Sequence, residues 1–219
     1  MRKDLYLVRH GQTLFNLKRI IQGWSDSPLT DLGREQARRA GEFLRARGVA
    51  PTRAVASTLT RTNQTIECVW PGIAYERLDG LREWYFCEFE AERISLMPAR
   101  PWRDFFCQFG GESQAQVRER MVTTLDDVMA GEGSACVLAV SHGSAIKEFM
   151  DAWEGEGADE LARVPRNCAT LHYVWHEREG GDAPAYAAGG GQIETRGTFE
   201  LVEVFTQQDY ARELGLDEL

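Results

Sequence analysis

Two of the four histidines are each followed by glycine: His10 in Arg9-His10-Gly11, and His142 in Ser141-His142-Gly143. A neutral imidazole nitrogen can attack phosphorus in line and carry the phosphoryl group as phosphohistidine, dividing one transfer into two steps. Arg9 adjoins the first histidine, and Arg61 follows the run Ser57-Thr58-Leu59-Thr60. Guanidinium forks grip phosphoryl oxygens in pairs and neutralise charge in the transition state. A leaving alkoxide needs a proton, which a carboxylic acid on the far side of phosphorus supplies. Glu83 in Leu81-Arg82-Glu83 is the candidate; Asp26, Glu88, Glu90 and Glu112 are acids at less favourable positions.

About 130 residues separate the two histidines, so the fold must bring them together. Leu5-Tyr6-Leu7-Val8 predicts a buried strand ending at Arg9-His10. Residues 12–30 predict a loop, and Thr30 or Asp31 caps a helix with Leu32, Ala37, Ala40, Phe43 and Leu44 inward. Ala54–Ser57 predicts a second strand, followed by a helix over 59–70 and a third strand over 73–78. Residues 84–111 are irregular and rich in aromatics (Trp84, Tyr85, Phe86, Phe89, Trp102, Phe105, Phe106 and Phe109) and predict a cap over a site. A helix over 112–130, a strand over 135–140 and a helix over 144–153 follow. Strands are expected over 170–175 and 199–205, joined by an exposed Gly-rich connection, 180–197, with a polar tail or short helix at 207–219. The alternation predicts one α/β domain over 1–219: a three-layer sandwich with a mostly parallel sheet, helices on both faces and a small cap insertion. In such sheets ligands bind outside the carboxyl ends of the strands, where both histidines fall. Gly143 opens a helix, a natural anion site.

Read in order, these pieces resemble the histidine phosphatase superfamily, the phosphoglycerate-mutase-like proteins. The resemblance runs through Leu7-Val8-Arg9-His10-Gly11-Gln12-Thr13-Leu14-Phe15-Asn16, then Gln22-Gly23-Trp24-Ser25-Asp26-Ser27-Pro28-Leu29-Thr30 and Leu32-Gly33-Arg34-Glu35-Gln36-Ala37. It continues through Ser57–Thr65, Leu81-Arg82-Glu83, Gly111-Glu112-Ser113 and Ser141-His142-Gly143, covering roughly residues 5–150. It implies that His10 is phosphorylated and that Arg9, Arg61 and His142 form a phosphate pocket. Asn16 and a backbone amide near Gly143 or Ser144 would assist, and Glu83 would act as acid and then as the base that activates water. It implies no metal and no organic cofactor. Asn16 alternatively caps a loop, and Gln22 and Gly23 either line the site or shape their loop. The chain departs from many members at Phe86-Cys87-Glu88-Phe89-Glu90-Ala91, where they carry Phe-Gly-x-Trp-Glu-Gly, so cap geometry and substrate preference do not carry over.

The net charge of −9 argues against a nucleic-acid partner, which calls for a clustered basic face. Five scattered cysteines without a Cys-x-x-Cys pair point to free thiols in a reducing compartment rather than a zinc or disulfide framework. No apolar run reaches membrane-spanning length, and the N-terminal one is too short for a secretory signal, so the expectation is a cytoplasmic protein, monomer or homodimer. His172 and His176 share a strand face and read as structural.

The expected activity is hydrolysis of a small-molecule phosphate ester. The alternatives are a phosphoglycerate-type mutase, a phosphoprotein phosphatase and a non-catalytic phosphate-binding domain. Residues 84–111 hold only Arg93, Arg100 and Arg103 as basic groups for a substrate carboxylate, amid aromatics that suit an apolar or ring-bearing alcohol.

Overall fold

The strand that leads to His10 runs through the middle of the sheet. In the computed structural model, which describes residues 1–157, 163–178, 185–186 and 192–219, β1 (Arg2–Arg9) lies between a parallel and an antiparallel neighbour. Leu5 and Leu7 pack on one face and Val8 on the other, which explains its continuous apolar run.

A short helix, α1 (Leu14–Lys18), follows His10, where the sequence predicts only loop. Its signal is a capping box: the Thr13 side chain accepts from the Asn16 amide, and the Asn16 side chain accepts from the Thr13 amide. Helix α2 (Asp31–Ala46) is capped by Thr30 and buries Ala37, Ala40, Phe43 and Leu44 as expected. Leu32 does not join them and is 37% exposed. It lies in the first turn, at the margin of the apolar stripe, roughly 20° round the helix from Phe43 but about three turns before it.

Strand β2 (Arg53–Ser57), helix α3 (Thr60–Val69) and strand β3 (Glu76–Leu78) come next, β3 being shorter than its apolar run suggests. Beyond the cap, α4 (Gln114–Ala130), β4 (Cys136–Ser141) and α5 (Gly143–Glu154) follow, with a Ser113–Gln116 capping box opening α4. The chain then forms β5 (Thr170–Glu177), a small ribbon of β6 (Ala185–Tyr186) and β7 (Glu194–Thr195), β8 (Gly197–Phe205) and α6 (Gln207–Leu214). Most of the Gly-rich connection, Gly189-Gly190-Gly191 included, lies outside the described residues.

Among the described residues the main sheet has six strands in the order β3-β2-β4-β1-β5-β8. The first four and β8 run in one direction, and only β5 runs against them, pairing antiparallel with β1 and β8. Helices α4 and α5 cover one face and α2, α3 and α6 the other, giving two apolar clusters separated by the sheet. The cap aromatics Trp84, Phe86, Trp102 and Phe106 belong to the first cluster and meet edge to face at 4.9–6.2 Å. The cap is thereby anchored in the same core as α4 and α5.

Candidate active site

Strands β2, β4 and β1 are adjacent and parallel, so Ser57, His142 and His10 emerge side by side at one edge of the sheet. The His10 and His142 rings stand 5.3 Å apart. His10 is 2% exposed, and its Nδ1 lies 2.8 Å from the Gly11 carbonyl oxygen. A carbonyl only accepts, so Nδ1 carries the proton and Nε2 keeps its lone pair. Burial, then the charges of Arg61 and Arg9, holds the imidazole well below its ordinary pKa, so the ring is neutral at physiological pH.

The loop carrying His10 is set by close backbone contact. A side chain at Gly11 would begin 2.3 Å from the Gly33 carbonyl oxygen, and one at Gly33 would begin 2.0 Å from that of Gln12. Only glycine at both positions lets the turn after β1 press on the first turn of α2. The Gly11 amide donates to Thr65 Oγ1 on α3, and Asn167 Nδ2 donates to the His10 carbonyl.

Arg61 is fully buried. Its Nε donates to His142 Nδ1 at 3.1 Å, its Nη1 to the Ser25 carbonyl and Asp26 Oδ1, and its Nη2 to the Gly23 carbonyl at 2.6 Å. These bonds use four of five donors and leave one Nη2 hydrogen for a ligand. His142 thus keeps Nδ1 bare, carries its proton on Nε2 and donates to Ser57 Oγ at 2.9 Å. It is buried behind Arg61 and does not line the cavity. Arg9 lines the cavity and donates from Nη1 to the Pro165 carbonyl; its buried Nε has no acceptor among the described residues. Burial lowers the pKa of both guanidiniums, yet their ordinary value is so high that they stay charged. Asp26 offsets one charge, and a fully buried and a half-buried guanidinium at the cavity favour an anionic ligand.

Asn16 and Gln22 both line this floor with their amide oxygens already engaged. Asn16 Oδ1 accepts from the Thr13 amide, and Gln22 Oε1 from Thr13 Oγ1 and Ser27 Oγ. Each then presents its NH2 to the cavity. Gly23 lines it too, at φ +57°, its missing side chain making room for Glu90. Asn16 therefore both caps α1 and faces the site, which the sequence reading held as alternatives.

Glu83 stands at the opposite wall, 9% exposed, over the N-terminus of α5. Its carboxyl oxygens accept from the amides of Trp84 (3.0 Å), Ser144 (3.1 Å) and Ala145 (2.8 Å). Of the two amides the sequence offered, that of Ser144 is spent on Glu83, while the Gly143 amide has no acceptor among the described residues. Gly143 and Ser144 both line the cavity. The other acids are committed elsewhere. Asp26 pairs with Arg61 and the Thr60 amide, and Glu112 with Arg120 and the Tyr85 amide. Glu90 accepts from the amides of Trp24 (2.7 Å), Ser25 (2.6 Å) and Phe86 (3.2 Å). Glu88 is exposed and does not line the cavity.

Several contributors carried no signal in the reading of single residues. Glu90 ties the cap to the loop whose carbonyls hold Arg61, and Asn167 reaches the site from outside the motif region. Arg120 donates to the carbonyls of Gly80, Arg82 and Glu83 and so fixes the Glu83 turn from behind. From the cap, Arg100 reaches Ser144 Oγ at 2.8 Å and lies over the Trp102 ring at 3.6 Å. Of the eight cap aromatics only Phe86 and Trp102 line the cavity. His172 pairs with Asp4 and stacks on Tyr6, and His176 pairs with Glu200, both away from this site. No helix among the described residues is long and apolar enough to cross a membrane.

Known proteins are similar in sequence and in fold. A probable phosphoglycerate mutase GpmB of Erwinia tasmaniensis is 32% identical over 212 residues, spanning 91% of this chain and 95% of its own. The solved structure of Bacillus stearothermophilus YhfR is 26% identical, with a TM-score of 0.68 over 91% of this chain and 95% of that one. An Entamoeba histolytica phosphoserine phosphatase, solved with 3-phosphoglyceric acid, shares the fold at 22% identity and a TM-score of 0.71, covering 95% and 99%. The family description "histidine phosphatase superfamily (branch 1)" matches residues 5–186, from the strand below His10 to beyond β5. Motif order, sheet and site converge, and the chain belongs to the histidine phosphatase superfamily.

Proposed function

We propose that this protein hydrolyses phosphomonoesters through a phosphohistidine on His10, with Glu83 as proton donor and then acceptor and with no metal. The observation that carries the reading is the state of His10: Nδ1 is tied to the Gly11 carbonyl and the ring is held neutral, which leaves Nε2 nucleophilic. The phosphoryl group sits on the floor made by Arg9, Arg61, Asn16, Gln22 and the Gly143 amide, two guanidiniums taking the place a divalent cation holds in other phosphoryl-transfer sites. His142 acts through Arg61, whose Nε it holds.

In the first step the Nε2 lone pair forms a bond to phosphorus as the ester P–O bond breaks. The leaving oxygen takes the proton of the Glu83 carboxyl. In the second, the Glu83 carboxylate takes a proton from water, the water oxygen bonds to phosphorus, and the P–N bond breaks. Inorganic phosphate leaves and both residues regain their starting states.

A second reading, transfer between hydroxyls of a phosphoglycerate, is favoured by the names of the curated relatives and by Arg100, a cation in the cavity where a substrate carboxylate could lie. Hydrolysis is preferred because, of the cap's Arg93, Arg100 and Arg103, only Arg100 lines the cavity. Phosphate release from p-nitrophenyl phosphate and a panel of phosphomonoesters, with EDTA present, tests the reading against His10→Ala. Activity that survives EDTA and is lost in the variant supports it. No release from any ester, together with mutase turnover primed by a bisphosphate, supports the second reading instead.

A further inference from the structure

The cavity above His10 has a volume of about 930 Å³, at the upper end of the range that holds drug-sized ligands. A phosphoryl group occupies only its floor. The remaining walls are mainly apolar: Ile20 from the segment after α1, Ile94, Met97, Pro98 and Trp102 from the cap, and Val164. The two sides are locked together, since Ile20 bridges to Arg93 and the Ile94 amide donates to the Arg19 carbonyl. The apolar wall reaches solvent at Ile94, which is 47% exposed. Contiguous apolar surface leading from a polar floor to solvent is the signature of a ligand groove.

The wall also discriminates between kinds of apolar group. Trp102 has Arg100 over its ring, and Trp84, Phe86 and Phe106 pack edge to face with it at 5.2–5.4 Å. Phe86 is held in the same way by Trp102 and Phe106. Both rings are committed to this packing and nearly buried, Trp102 at 8% and Phe86 at 4% exposure, so most of what remains for a ligand is branched and sulfur-bearing aliphatic surface. That surface suits a flexible aliphatic chain better than a planar ring, and a small polar acid would leave it wet.

We infer that the substrate is the phosphomonoester of an aliphatic alcohol, whose chain lies in the slot between Ile20 and the Ile94–Pro98 segment. This rests on the phosphatase reading for its chemistry and on the cavity for its class. It sharpens the sequence expectation of an apolar or ring-bearing alcohol and departs from the small acids in the relatives' names.

Calorimetric titration with alkylphosphonates from ethyl to octyl tests it, because their P–C bond cannot be hydrolysed and binding is read without turnover. Kd is expected to fall by up to about fourfold per methylene, with a heat-capacity change that grows more negative along the series. The pair Ile94→Ser and Met97→Ser, with folding checked by thermal melting, is expected to flatten the series; phenylphosphonate should bind the wild type less tightly than hexylphosphonate. A Kd that is flat or rises with chain length, or a slope unchanged in the double variant, overturns the inference. Hydrolysis of ethyl phosphate with a flat phosphonate series would leave the phosphatase reading standing and remove this one. A graded series without hydrolysis of any alkyl phosphate would do the reverse.

Discussion

His10 and His142, with rings 5.3 Å apart, hold opposite tautomers: the first is protonated on Nδ1 by the Gly11 carbonyl and the second on Nε2 by the demand of Arg61. Each neighbour can play only one part, since a carbonyl accepts and a guanidinium donates. The outcome is a bare Nε2 facing the cavity on one ring and a bare Nδ1 locked on the guanidinium by the other.

Removing that lock should weaken the grip on phosphate. His142→Ala leaves the Arg61 Nε–H buried without an acceptor, and a hydrogen bond to a charged group contributes about 1.5–3 kcal/mol. Inhibition by vanadate or phosphate is expected to weaken roughly tenfold to a hundredfold. His142→Asn, which restores an acceptor oxygen, should recover part of it. Unchanged inhibition in His142→Ala would remove His142 from the phosphate site.

Both imidazoles also make stability depend on pH. Burial comes first, then the Arg61 charge, and their folded pKa values lie well below the unfolded value near 6.5. The unfolded chain therefore binds more protons. The contribution is fully present above pH 6.5 and is lost as pH falls below it, with a slope approaching roughly 1.4 kcal/mol per pH unit for each histidine. Glu35, held down to about 2 by hydrogen bonds from Arg38 and Arg39, enters only below its ordinary value of 4.5, a separate window. Urea unfolding between pH 7 and 5 should show the loss, and His10→Asn should reduce the slope by about half.

Glu90 illustrates what the sequence shows and what it hides. As one of five candidate acids it carries no mark of its role. Folded, its carboxylate clamps the Trp24 and Ser25 amides, and the carbonyls of Gly23 and Ser25 in that loop hold Arg61. The strand-end histidines were legible because a buried apolar run ending in Arg-His-Gly has few other uses. The helix after His10 was not, because its cap lies in one short side-chain exchange between Thr13 and Asn16. The Glu83 contact with the start of α5 was not legible either, since it joins backbone amides about 60 residues away in the chain.

If Glu90 positions Arg61, the two should not act independently. Glu90→Ala is expected to raise the vanadate inhibition constant at least tenfold, and to add little once Arg61→Ala is present. Fully additive effects in that double-mutant cycle would make Glu90 a matter of stability alone.

Cys87 and Ala91 stand where many members carry glycine, and the backbone still takes the left-handed turn there, at φ 49° and 65°. A side chain in that region costs about 1–2 kcal/mol, partly offset by the greater freedom glycine has when unfolded. Ala91→Gly, at an exposed position, should therefore stabilise the protein by up to about 1 kcal/mol, and Cys87→Gly by a similar amount. Denaturant midpoints lower than wild type in both would contradict the turn as described.

The central claim is that His10 itself takes the phosphoryl group. Rapid quenching of turnover in alkali, which preserves a phosphoramidate, followed by peptide mass spectrometry reads it directly. The account expects one phosphoryl group on the peptide bearing His10, lost on acid treatment and accumulating in Glu83→Gln when the leaving group needs no protonation. Turnover with no phosphorylated peptide in wild type or Glu83→Gln, or with the label on another residue, would contradict it.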